Sequence, residues 1–241
     1  MSKKIKIIIP TRLASTRLPR KALLEIVGKS MIARVYEQAL KAEIGEVLVA
    51  CDGEEIAAEL QKIGANFVIT DPNLPSGTDR IFAAYQSSKS TEDFVINLQG
   101  DLPNIDPESI RICAKKLVES DCDISTLASP IRDLKDIANP NVVKIAMTKQ
   151  GKALYFSRAA IPYSKNETDG YFHHIGIYGY KIAALKKFVS LAPSPLEQRE
   201  SLEQLRALEN GLSIAVGIVE KQPISVDSFE DLENARRLIK D

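Results

Sequence analysis

The chain has 241 residues, 44% apolar and 27% charged, with 32 basic and 32 acidic side chains. A chain of this length can bury up to about three quarters of its unfolded surface, so one domain spanning 1–241 is expected. The ordinary apolar fraction excludes disorder, and zero net charge excludes a nucleic-acid binder that relies on bulk charge.

Residues 5–9 read as a strand and residues 31–42 as a helix. Residues 47–50 are apolar and β-branched, and Ile56, Ala57, Leu60 and Ile63 follow at helical spacing. Phe67–Ile69, Phe94–Leu98 and 124–127 continue the strands, with a helical stripe of Ile110, Ala114, Leu117 and Val118 before the last. This alternation predicts an α/β fold with a doubly wound, mostly parallel sheet whose strands are buried on both faces by crossover helices. Asp52 with Glu55, and Ser228 with Asp231, have the spacing of capping boxes at helix starts. Residues 142–147, 153–156 and 174–180 look like strands, with a turn at 150–152, so a small inserted antiparallel region suited to dimerisation is expected. Residues 196–208 read as one helix that sets Glu200 and Gln204 on a single face. That face is either a solvated stripe or a set of partners for sugar hydroxyls.

No apolar run approaches the roughly 20 residues of a membrane span. The basic opening lacks the apolar segment of a signal peptide. Cys51, Cys113 and Cys122 form no metal-type cluster and read as buried thiols in a reducing compartment. A cytoplasmic protein with no membrane or nucleic-acid partner is expected.

The net charge hides a local asymmetry. Lys3, Lys4, Lys6, Arg12, Arg17, Arg20 and Lys21 precede the first acid, Glu25. Four of these cations lie in the loop 10–21, directly after the first strand. In an open α/β sheet such loops line the ligand crevice, so this one reads as an anion site or as a solvated basic loop. Asp101 follows the strand Phe94–Leu98 beside Gly100, and fits either a turn or a divalent cation bridging to phosphates. Asp227 stands before the last helix; if Ser228 is the cap, Asp227 is released as a second carboxylate ligand. His173 and His174 lack zinc-type spacing, and no GxSxG, GxGxxG or GxxxxGK[ST] motif is present.

Taken in order, several blocks carry a resemblance: Ile8 to Arg12 with Ser15 to Lys21, Ser76 to Arg80, Asn97 to Asp101, Ala153 to Arg158, His174 to Tyr180, Leu202 to Arg206 and Val226 to Leu232. This set resembles the ulosonic-acid cytidylyltransferases over nearly the full length. Its middle and late blocks are similar to the branch that uses 3-deoxy-D-manno-octulosonate (Kdo). The resemblance implies a nucleotidyltransferase-type fold, a homodimer, and Mg2+-dependent transfer of CMP from CTP to Kdo, releasing pyrophosphate and supplying lipopolysaccharide synthesis. It implies that Arg12, Arg17 and Lys21 meet the triphosphate and that Asp101 and Asp227 hold Mg2+. Ser76, Gly77, Thr78, Arg80 and Gln99 are implied at the nucleotide, and Arg158, His174, Tyr178, Glu200 and Gln204 around the sugar acid.

Three positions depart from the family's usual pattern. Arg20 and Ala22 stand where glycine and proline are usual, so Arg20 is expected to tighten or obstruct the phosphate loop. Leu102 replaces a frequent acid, which weakens a catalytic assignment at that position and leaves Asp101 unaffected. The alternatives are a cytidylyltransferase for 8-amino-Kdo or neuraminic acid, or a non-catalytic nucleotide-binding module.

Overall fold

A computed structural model describes residues 4–15, 17–165 and 170–240. Lys3 and Thr16, counted above in the basic opening and the first block, lie outside them. In chain order the elements are β1 (Ile5–Pro10), a 3-10 turn (Lys21–Leu23), β2 (Glu25–Ile26), β3 (Lys29–Ser30), α1 (Met31–Lys41), β4 (Glu46–Cys51), α2 (Glu54–Lys62), β5 (Phe67–Ile69), α3 (Gly77–Ser87), β6 (Phe94–Leu98) and α4 (Pro107–Glu119). There follow β7 (Ile124–Pro130), α5 (Lys135–Ala138), β8 (Lys144–Met147), β9 (Ala153–Ser157), β10 (Phe172–Lys181), α6 (Ile182–Ser190), α7 (Pro195–Glu200), α8 (Gln204–Glu209), β11 (Ile214–Ile218) and α9 (Phe229–Leu238). The chain divides into two compact units, one running up to Arg111 and resuming at Pro223, the other Ile112–Gln222. Composition does not mark this division, because it falls inside α4 rather than in a linker.

In the first unit β6, β1, β4 and β5 pair in parallel, in that order. Ile7, Ile8 and Ile9 of β1 are fully buried, as a strand covered on both faces requires. The chain steps outward from β1 to β4 to β5, with α1 and α2 as connections, and then places β6 on the opposite side of β1. The strand order therefore reverses between β1 and β6. Ligands of open α/β sheets bind at such a point, outside the carboxyl ends of the strands.

A second apolar cluster holds the cationic loop down. Leu18 packs with Ile26, Met31, Val226, Leu232 and Ala235, all buried. Ser228 caps α9 and shares a capping box with Asp231, as the spacing predicts. The expectation for Asp52 is corrected. α2 starts from Gly53 without a side-chain cap, and the Asp52 carboxylate instead accepts the Leu13 N–H at 3.0 Å. A loop amide with no strand partner takes the acceptor that the helix could have used.

In the second unit β7 lies between β11, parallel to it, and β10, antiparallel to it. β8 pairs antiparallel with both β9 and β10, so the inserted antiparallel region is present. Its strands begin at Lys144 and Phe172 rather than at 142 and 174. β11 was not expected, although the Asn210-Gly211 turn before its short apolar run was an available signal. The single helix expected over 196–208 is two helices. Ser201 is left-handed at φ 53°, and the Leu202 N–H turns back to the Glu197 carbonyl at 3.1 Å. Glu200 and Gln204 consequently end one helix and begin another instead of sharing a face.

All three thiols are free; Cys51 and Cys113 are buried, whereas Cys122 is partly exposed. Among the described residues no helix is long and apolar enough to cross a membrane.

Candidate functional site

The first unit has a cleft of about 290 Å³ where the strand order reverses. One wall follows β1 and carries Arg12, Ser15, Arg17 and Lys21; the opposite wall follows β6 and carries Gln99, Gly100 and Asp101. Gly100 lets the two strand ends approach closely: a Cβ there would sit 3.1 Å from the Pro10 carbonyl oxygen, tighter than most such contacts, so the backbone would have to give by a few tenths of an ångström. Asp227 closes the cleft from the segment before α9, and the Val226 N–H donates to the Asp101 carbonyl at 3.0 Å.

The two carboxylates converge on one cation. Lys21 Nζ donates to Asp101 Oδ2 and to Asp227 Oδ1, each at 2.9 Å. Burial pulls the Lys21 ammonium down, but Asp101 and Asp227 outweigh it and hold the group above its ordinary value. Arg17 approaches Asp227 at 3.3 Å with both side chains well exposed, so that pair is weak. Hard oxygen donors that meet at one cation are the donor type Mg2+ accepts, with phosphate oxygens and water completing its shell. Among the described residues no cluster of three or more His, Cys, Asp or Glu forms a self-sufficient metal cage.

The expectation that Arg20 crowds the phosphate loop is corrected. Arg20 is left-handed at φ 58°, the conformation glycine adopts freely, and its guanidinium turns to Glu55 on α2 rather than into the cleft. Leu102 is buried, which explains an apolar residue at that position.

Ser76 and Gly77 open α3 at the cleft wall. The Ser76 hydroxyl oxygen accepts the Thr78 and Asp79 N–H groups at 3.1 and 3.2 Å, and its own proton goes to Asp79 Oδ2 at 2.7 Å. Thr78 itself is buried behind the lining. Arg80 is buried and lines the cleft; its NH1 donates to Thr70 and to the Asp71 carbonyl, while NH2 has no partner. Burial lowers the Arg80 guanidinium, Asp52 raises it, and Arg12 lowers it further. An orphaned guanidinium N–H in an anion-type cleft is a donor awaiting a ligand oxygen. Gln99 donates to Asn97 Oδ1 at 3.0 Å.

The five residues expected around a sugar acid all belong to the second unit. Glu200 accepts the Ser157 hydroxyl at 2.6 Å and the Arg158 N–H at 2.9 Å. The Arg158 guanidinium donates to the Glu200, Pro140 and Ser201 carbonyls. His174 is buried, with its Nε2 3.0 Å from the Thr126 hydroxyl, and its ring packs against Phe156 and Tyr178. Burial is the main cause that lowers His174 to about 3 and His173 to about 4, so both are neutral at pH 7. Burial also pushes the Tyr178 phenol up. Gln204 is buried with Nε2 lacking a partner.

Sequence reasoning passed over Lys144. Its side chain is fully buried, and Nζ donates to the Asn139, Val142 and Arg158 carbonyls at 2.9, 2.6 and 2.6 Å. A lysine inside an apolar strand run was the available signal, since such a charge must be fully hydrogen-bonded to be buried. Thr126 carried no signal that sets it apart from other strand hydroxyls.

Residues 6–214 match the protein family described as Cytidylyltransferase. The 3-deoxy-manno-octulosonate cytidylyltransferase of Chelativorans sp. (strain BNC1) is 48% identical, covering 97% of this chain and 96% of that one. The same-named protein of Bradyrhizobium sp. (strain ORS 278) is 49% identical over 98% of this chain and 97% of its own. A solved structure of CMP:2-keto-3-deoxy-manno-octonic acid synthetase complexed with CTP superposes with a TM-score of 0.93 at 38% identity, covering 98% of each chain. A glucose-1-phosphate thymidylyltransferase from Bacillus anthracis shares the fold at a TM-score of 0.68 and 16% identity.

Proposed function

The chain belongs to the cytidylyltransferase family, and from that premise we propose that it transfers CMP from CTP to the anomeric hydroxyl of Kdo, releasing pyrophosphate. The observation that carries this reading is that Lys21, from the arginine-bearing loop, sits between Asp101 and Asp227 where the strand order reverses.

The chemistry asks for such a cleft. The attacking hydroxyl of Kdo sits on a carbon that bears a carboxylate, so two anions must be brought together. Negative charge then grows on the leaving pyrophosphate, and positioned cations lower the barrier by neutralising it. Arg12 and Arg17 bind the triphosphate by guanidinium forks, which match phosphate oxygens. Lys21 exchanges its carboxylate partners for phosphate oxygens as CTP enters. The NH2 of Arg80 finds its missing acceptor on the nucleotide, and Ser76, Gly77, Thr78 and Gln99 shape that wall. Asp101 and Asp227 would hold Mg2+, which supplies further charge neutralisation when bound.

The second unit supplies residues for the sugar acid. Glu200 and Gln204 offer hydrogen-bonding groups to sugar hydroxyls, and Tyr178 and His174 present aromatic faces with polar edges. Arg158 has three carbonyls as partners, so we assign the two N–H bonds it has left, rather than a free fork, to the sugar carboxylate. The reading also makes the protein a cytoplasmic homodimer with no nucleic-acid or membrane partner; light scattering on the purified chain measures the dimer.

The test is to incubate the protein with CTP, Mg2+ and either Kdo, 8-amino-Kdo or neuraminic acid, and to measure pyrophosphate. Release is expected with Kdo. Release only with another acid reassigns the substrate, and release with none replaces the enzyme by a nucleotide-binding module. Leaving out Mg2+ tests the metal assignment in the same assay.

A further inference from the structure

The polar atoms around Thr126 determine how the proton of a neighbouring imidazole is placed. Thr126 Oγ1 lies 2.8 Å from the Ile177 carbonyl oxygen, 3.2 Å from the Ile175 carbonyl oxygen and 3.0 Å from His174 Nε2. The pairing of β10 with β7 slips between Ile175 and Tyr178, and this irregularity turns both carbonyls toward the Thr126 hydroxyl. A threonine hydroxyl has one proton, and a carbonyl oxygen can only accept. Were that proton given to His174, the hydroxyl oxygen would face two carbonyl oxygens with no hydrogen between them. The proton therefore goes to a carbonyl, and Nε2 must be the donor of the third bond. The imidazole is neutral at pH 7, so a proton on Nε2 leaves Nδ1 with a lone pair. Among the described residues His174 has no side-chain hydrogen bond beyond the one to Thr126.

We propose that Thr126 is a positioning residue that holds His174 as the Nε2–H tautomer, so that Nδ1 accepts a hydrogen bond from a hydroxyl of the sugar acid. This rests on the placement of His174 at the sugar acid under the proposed function. It assigns His174 a neutral acceptor's part, not that of a cation paired with the sugar carboxylate. The ring is held for this task by Phe156, edge-on at 5.1 Å between centroids, and by Tyr178 at 5.4 Å.

Long-range proton–nitrogen correlation on the full chain labelled with 15N-histidine reads the tautomer directly. A His173→Gln chain leaves one histidine and assigns the signals. The expected result is a pyrrole-type Nε2 and a pyridine-type Nδ1 at pH 7; the reverse pattern overturns the proposal. In Thr126→Val, loss of this pattern is expected together with a rise of roughly three- to tenfold in KM for Kdo and little change in kcat, the size of one neutral hydrogen bond. Thr126→Ser is expected to restore both. A Thr126→Val protein that keeps the tautomer pattern and the KM overturns the proposal. If that variant does not fold, the parent spectrum and Thr126→Ser still decide. The spectrum needs no turnover, so failure of the proposed reaction and failure of this assignment are read separately.

Discussion

The cleft of the first unit and the polar cluster of the second handle charge in opposite ways. In the cleft, Lys21, Asp101 and Asp227 are partly exposed and satisfy one another, and Arg12 and Arg17 face water. Each of these partners can be exchanged for a ligand group without stranding a charge. In the second unit the cations are committed to backbone: Lys144 to three carbonyls and Arg158 to three more. Exchange at Lys144 would leave buried and half-buried carbonyls without a donor. The difference teaches that exposed, mutually paired charges can hand their partners over to a ligand, whereas a cation committed to carbonyls meets a ligand only through the N–H groups it has left, as Arg158 does, or fixes local shape, as Lys144 does.

The sharpest way to break this contrast is in the cleft. Asp101→Asn should lower turnover about 10²- to 10³-fold while the circular dichroism spectrum and melting temperature stay near those of the parent. Near-parental turnover would remove the carboxylate pair from the chemistry. In the second unit the effect should fall on stability instead. Lys144→Met keeps the volume but strands three carbonyls, and should cost on the order of 3 kcal/mol in urea unfolding. A change under about 1 kcal/mol would mean that water replaces the ammonium.

The buried histidines sharpen the comparison through pH. His173 and His174 titrate near 4 and 3 in the folded chain but near 6.5 when unfolded. Between those values the unfolded state binds more protons, so stability rises with pH and is lost as pH falls from about 6.5 toward 3–4. Each such histidine contributes up to about 1.4 kcal/mol per pH unit in that window. Unfolding curves at pH 7, 5.5 and 4.5 should show a shallower pH slope for His174→Gln than for the parent; equal slopes would place the imidazole in contact with solvent. The smallest effect is expected at Arg20. Arg20→Gly relieves a left-handed arginine but loses an exposed ion pair with Glu55 and adds freedom to the unfolded chain. The net change should stay within about 1 kcal/mol, with KM for CTP unaltered, because the side chain faces away from the cleft.

Much of the first unit was legible from local pattern. Its strands are short β-branched runs, α1 has an unbroken amphipathic stripe, and Ser228 with Asp231 is a capping box that sequence spacing finds unaided. The second unit was less legible. Its break at Ser201 depends on a left-handed residue that carries no glycine to announce it, and the role of Lys144, a lysine inside an apolar run, shows only once its three carbonyl partners are seen. Asp52 was misread because a cap and a loop amide compete for one carboxylate, and only tertiary placement decides between them.

By itself the sequence determined the α/β alternation, the inserted antiparallel strands, the cationic loop after the first strand, and the carboxylates Asp101 after β6 and Asp227 just before α9; the stretch 224–226 before Asp227 is not a strand. These follow from periodicity and turn chemistry, which act over a few residues. The tertiary structure alone decided that Lys21 would meet carboxylates 80 and 206 positions away, and that His174 would meet a hydroxyl 48 positions away. Those meetings depend on strand order and register, which no local preference encodes; they are set when the buried faces of distant strands find one pairing that satisfies both packing and hydrogen bonds.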